Sequence, residues 1–202
     1  MKSRKQPGRA GRPRSFDLDR ALDRALQMFW RKGYEGTSLA DLTEAMGINR
    51  PSVYAAFGDK EALFRKALDR YAEGPASYVR EALKEATARG VVETLLRKTV
   101  DSLSDPRNPH GCLNVQGALA CGAAAEPIRR ELASRRAAGE AAIRRRLRRA
   151  KAEGDLAPDA DPADLARYIT TVLQGLSVQA AGGANRAQLL RVIQTAMRAW
   201  PR

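Results

Sequence analysis
A chain of 202 residues is long enough to bury a real core in one or two domains. Its formal charge of +13, from 36 Lys and Arg against 23 Asp and Glu, favours a polyanionic partner. No apolar run reaches spanning length, no hydrophobic leader opens the chain and two cysteines make no disulfide framework, so a cytoplasmic protein with no membrane partner is expected.

Residues 1–14, MKSRKQPGRAGRPR, carry six basic side chains and no acid. Gly, Pro and Ser argue against independent folding, and the segment reads as a flexible basic arm. Gly11-Arg12-Pro13 resembles the core of an AT-hook. Arg12 and Arg14 are then suited to a narrow minor groove, where negative potential is concentrated. A first helix follows over residues 16 to about 32, with Leu18, Leu22, Ala25, Leu26 and Phe29 as its buried stripe and Gly33 as its end.

Residues 37–57, TSLADLTEAMGINRPSVYAAF, read as a helix, a tight turn and a second helix. Thr37 or Ser38 can cap the first, because a hydroxyl oxygen accepts from an orphan N–H of the first turn. Leu39, Leu42 and Met46 give it one apolar face, and Gly47 ends it. Asn49 caps the next helix, and Pro51 is tolerated where no intrahelical donor is needed. Such a pair matches the helix-turn-helix, whose second helix enters the DNA major groove. At about 100° per residue, Val53 and Phe57 face inward. Pro51, Ser52 and Ala55 then point outward, with Arg50 and Tyr54 at the edges. Arg50 is the side chain suited to bidentate contact with guanine, and Pro51 or Ala55 can touch a thymine methyl.

Asp59 caps a fourth helix lined by Leu63, Phe64, Ala67, Leu68 and Tyr71, and Gly74-Pro75 breaks it. The expected division is an arm over 1–14, a DNA-binding domain over 15–75 and a further domain over 76–202. Residues 76–104 read as one or two helices with a break near Gly90. A loop over 105–111 precedes a buried helix in CLNVQGALACGAA. An Arg-rich helix then runs from 126 to about 153. Asp161-Pro162 opens another helix, Gly182-Gly183 turns the chain, and the last helix covers 187–200. With no strand pattern and about nine helices, the fold class is all-α.

Catalysis has little support. There is a single histidine, His110, and no nucleophile elbow, phosphate loop or metal-ligand pair, so no enzyme activity, cofactor or metal is expected. Cys112 reads either as a small buried hydrophobe or as a reactive thiol at a helix N-terminus. The run 129–151 holds ten basic residues and two acids. It reads as a solvated face, an anionic effector site or a second DNA contact.

Three segments share one likeness. FDLDRALDRALQMFWRKGYEGTSL, the central stretch and GDKEALFRKAL resemble the N-terminal domain of the tetracycline-repressor-like (TetR/AcrR) family of bacterial regulators. The matching features are the Phe29…Gly33-Tyr34…Thr37-Ser38 run, the Tyr54…Phe57 pair and the Asp59-Lys60-Glu61-Ala62-Leu63 start. The resemblance implies a homodimer on a double-stranded operator. It also implies phosphate contacts from Thr37, Ser38, Tyr54 and Lys60, and a C-terminal domain whose small-molecule effector releases DNA. The family often has histidine where this chain has Ala55. Polar or aromatic groups interrupt apolar faces at Tyr78, Leu96, Thr99, Asn114, Tyr168 and Gln174, which makes these the pocket candidates. Two other readings are open: a repressor sensing oxidants or electrophiles through Cys112, and a constitutive architectural DNA-binding protein.

Overall fold
The computed structural model describes residues 16–117, 122 and 125–201; Arg12 and Arg14 of the basic arm lie outside them. Helix α1 (Leu18–Lys32) starts at Asp17, whose carboxylate accepts from the N–H groups of Asp19 and Arg20. Its apolar spacing buries Ala25, Leu26, Phe29 and Trp30 against α2 (Leu39–Met46), α3 (Arg50–Phe57) and α4 (Lys60–Glu73). Phe29 meets Phe64 edge to face at 4.9 Å, and Trp30 meets Tyr71 in the same way at 4.8 Å. Such pairs add specificity to simple burial. This apolar cluster does not stop at α4. Leu113, Ile128 and Leu132, from later in the chain, are part of it.

The second cluster is built from α5 (Tyr78–Ala82), α6 (Ala88–Leu103), α8 (Glu126–Ala152), α9 (Pro162–Ala181) and α10 (Arg186–Arg198). The break between α5 and α6 falls over residues 83–87, not near Gly90. Gly90 lies in the first turn of α6, where its N–H donates to Thr87 Oγ1 at 3.0 Å. The turn is held from outside, since the Arg146 guanidinium donates to the carbonyls of Glu85 and Ala86 at 2.7 and 2.9 Å. Of the run expected as one helix after residue 112, the described part is a single turn, α7 (Leu113–Gln116), ending at Gly117. Caps at Asp161 and Asn185 open α9 and α10. The described residues thus form ten helices and no strand. None of these helices is long and apolar enough to cross a membrane.

Candidate nucleic-acid interface and internal cavity
The α2–turn–α3 unit is fixed by short-range chemistry. Ser38 and Asp41 form a capping box: Ser38 Oγ accepts from the Asp41 N–H at 3.0 Å, and Asp41 Oδ2 from the Ser38 N–H at 2.8 Å. Asp41 also accepts from Lys32 Nζ at 2.7 Å, tying α2 to the end of α1. The Lys32 bond and the Ser38 bonds hold the Asp41 carboxyl well below the usual carboxylate range. Gly47 takes φ +68, the left-handed value that glycine adopts without a Cβ penalty, and sends the chain into α3. Asn49 Oδ1 accepts from the Ser52 N–H at 2.9 Å, and Pro51 sits in the first turn.

Val53 and Phe57 are buried, which sets the rotation of α3. Arg50, Pro51, Tyr54 and Ala55 are exposed and Ser52 is half-buried. Tyr54 leaves nearly half of its surface, 48 %, in solvent without a packing reason. Lys60 opens α4 with its ammonium 4.4 Å from the centre of the Tyr34 ring. One expectation changes here. Thr37 is completely buried and its hydroxyl donates to the Gly33 carbonyl at 2.7 Å, so it locks the α1–α2 turn and cannot reach a phosphate. The Ser38 hydroxyl is engaged with Asp41 on both sides, as acceptor and as donor. Arg24, which the apolar pattern did not single out, donates to the Met46 carbonyl at 3.4 Å and closes the end of α2.

A cavity of about 180 Å³ lies where α4 to α9 converge. Tyr78, Thr99, Asn114 and Gln174 line it, as does Cys112; Leu96 and Tyr168 do not. Leu96 is fully buried in the apolar core behind the wall, and Tyr168 is exposed on the outer side of α9. Two arginines of α8, Arg135 and Arg136, line the cavity, although neither is among the pocket candidates that the sequence pattern names. Cys112 Sγ accepts from the Tyr71 hydroxyl at 3.3 Å, and the Tyr78 and Thr99 hydroxyls share a hydrogen bond at 3.1 Å. Among the described residues no cluster of His, Cys, Asp and Glu is placed to hold a metal ion.

Burial pushes the Tyr78 phenol up to about 12, and burial beside Cys112 raises that of Tyr71 as well. A phenol whose value is raised in the folded state stabilises it fully below pH 10, the unfolded value. That contribution is lost as pH climbs from 10 through 12. Thermal melts between pH 9 and 12 are expected to show a steep alkaline loss, and Tyr78→Phe to remove about 2 kcal/mol of it near pH 12. An equally steep loss in the variant would mean that Tyr78 ionises without unfolding.

A capped two-helix unit with an exposed, uncluttered α3 face, carried on an all-helical body, defines a helix-turn-helix DNA-binding protein. Residues 21–67 match the family model for bacterial regulatory proteins of the tetR family, and residues 91–199 match the tetracyclin repressor-like C-terminal domain. The chain belongs to the TetR family of transcriptional regulators. It is 35% identical over 193 residues to the HTH-type transcriptional repressor ComR of Escherichia coli K12, covering 95% of this chain and 92% of that one. The repressor BdcR of the same organism is 31% identical over 197 residues, covering 94% and 91%. Among solved structures, a cysteine mutant of the TetR family regulator CifR, complexed with 26-base-pair operator DNA, is 48% identical. It superposes with a TM-score of 0.91 over 95% of this chain and all of that one.

Proposed function
We propose that this protein is a cytoplasmic homodimeric repressor that binds a double-stranded operator through α3 and leaves it when a small molecule enters the cavity. In this reading residues 15–75 are the DNA-binding domain and 76–202 the effector and dimerisation domain. The observation that carries it is the α3 face itself. Burial of Val53 and Phe57 leaves Arg50, Tyr54 and Ala55 outward, with nothing over them among the described residues. One such helix makes few base contacts, so tight binding calls for two half-sites one turn apart and a two-fold protein. The outer sides of α9 and α10 supply a surface for the second copy, with Tyr168, Val178 and Val192 between 38 and 50 % exposed. Tyr168 belongs to this surface and not to the cavity. An effector works only by binding the DNA-incompetent arrangement more tightly than the competent one.

The test is base reading by Arg50. Operator candidates come from the intergenic DNA beside the gene. Arg50→Ala is expected to cost about 1–3 kcal/mol on the operator and to relax preference at one base pair per half-site. Affinity for random DNA at the same salt should change much less. Equal weakening on both would make Arg50 a phosphate contact and would favour an architectural, sequence-blind protein.

A further inference from the structure
We infer that the cavity takes a small monocarboxylate anion, gripped by Arg136; the inference rests on the effector reading above. Three ionised side chains stand in the cavity wall, and two of them are already matched. Arg135 donates to Asp69 Oδ1 and to Glu131 Oε1, both at 2.7 Å. Glu140 Oε1 accepts from Arg167 at 2.9 Å. Arg136 is different. Its Nη1 donates to the Asn114 backbone carbonyl at 2.7 Å, and among the described residues no carboxylate lies within ion-pair distance of it. A half-buried guanidinium with five donors and one neutral acceptor is a charge awaiting a counter-charge.

Two further groups agree. Asn114 Oδ1 and Thr170 Oγ1 belong to residues of the same wall, and both atoms are buried with no hydrogen-bond partner among the described residues. The Thr170 hydroxyl has a proton to give to a carboxylate oxygen, and the Asn114 amide can present its NH₂ by a simple flip. One unmatched guanidinium suits a singly charged, planar, bidentate group better than a doubly charged phosphate. Leu95, Val115, Ile143 and Leu173 add apolar wall beside these polar groups. A cavity of about 150 Å³ accommodates benzene, so 180 Å³ suits one ring or a short branched chain bearing the carboxylate. The response follows from the bond now made. A carboxylate that draws Arg136 away from Asn114 loosens α7, whose Leu113 is packed in the core of α1–α4.

The probes are benzoate and isovalerate, each with its neutral primary amide, added to full-length protein. Calorimetry reads occupancy and fluorescence anisotropy reads operator release. At least one carboxylate is expected to bind about tenfold or more tightly than its amide. Arg136→Gln is expected to abolish that preference, and Arg136→Lys to retain part of it through charge without the fork. If the glutamine variant does not fold, the lysine variant decides, with carboxylate binding several-fold weaker than wild type. Amides that bind as well as the acids, no binding by either acid, or a preference untouched by both variants would overturn the assignment. An amide that binds and releases the operator removes the carboxylate and leaves the effector reading standing. A carboxylate held through Arg136 without any effect on operator affinity does the reverse.

Discussion

Deleting residues 2–14 is expected to flatten the salt dependence of operator binding by roughly 4–5 units of slope per dimer. The reason is where the charge lies. Residues 15–72 hold nine Lys and Arg against nine Asp and Glu, so the helix-turn-helix unit is formally neutral. Residues 1–14 carry six basic groups and no acid, and the other +7 of the +13 belongs to the C-terminal part. Much of the charge on α8 is matched within the protein. Arg129 and Arg130 pair with Glu126, Arg149 with Glu153, and Arg135 with Asp69 and Glu131. Each phosphate neutralised contributes about −0.9 to the slope of log K against log salt, so two or three arm residues per subunit account for the change. Affinity at moderate salt should fall by orders of magnitude while the preferred major-groove bases stay the same. Full-length and truncated proteins titrated across a salt series on one operator check this. An unchanged slope would make the arm a solubilising tail and return attention to the unpaired arginines of α8.

Local rules reached far in the N-terminal third. Ser38, Gly47, Asn49 and Asp59 stand where cap chemistry puts them, because each acts on a backbone group within four residues. Thr37 shows where such rules end. It and Ser38 are equivalent as hydroxyls, and only packing of the α1–α2 turn decides that one is buried on Gly33 and the other caps. The α5–α6 break lies away from Gly90 for a similar reason. Gly90 is a visible breaker, but Thr87 caps the helix before it and Arg146, some sixty residues on, holds the turn. The cavity was half legible. Tyr78, Thr99, Asn114 and Gln174 interrupt apolar faces and do line it, whereas Leu96 and Tyr168 sit on neighbouring faces of the same helices. Arg135 and Arg136 were hidden by their own neighbours. Within a run of ten cations, nothing in the spacing marks the two that line the cavity.

The second large effect concerns how the DNA-reading unit is held. Leu132 is fully buried on α8, yet it packs in the cluster of Phe29, Phe64 and Leu68 and not in the core of the C-terminal helices. Several polar links run the same way. Trp30 Nε1 donates to the Gly111 carbonyl at 2.9 Å, the Tyr34 N–H to the Gly117 carbonyl at 2.9 Å, and the Gly122 N–H to Glu35 at 3.0 Å. The end of α1 and the turn after it are therefore clamped to Gly111, Gly117 and Gly122, and α4 to α8 through Asp69 and Arg135. Leu132→Ala is expected to cost about 2–5 kcal/mol, by lost burial plus the cavity left behind. Because the cluster is shared, the loss should appear in α1–α4 themselves. Hydrogen exchange of α1 and α4 should accelerate, and operator binding should fail at a lower temperature than in the wild type. Leu147→Ala, in the other cluster, should cost a similar amount while first loosening α6, α9 and α10. Unchanged protection of α1 and α4 in Leu132→Ala would mean that the head folds as a separate body. A signal from the cavity would then have to reach it by some route other than the shared core, since coupling needs an element whose arrangement both sites bias.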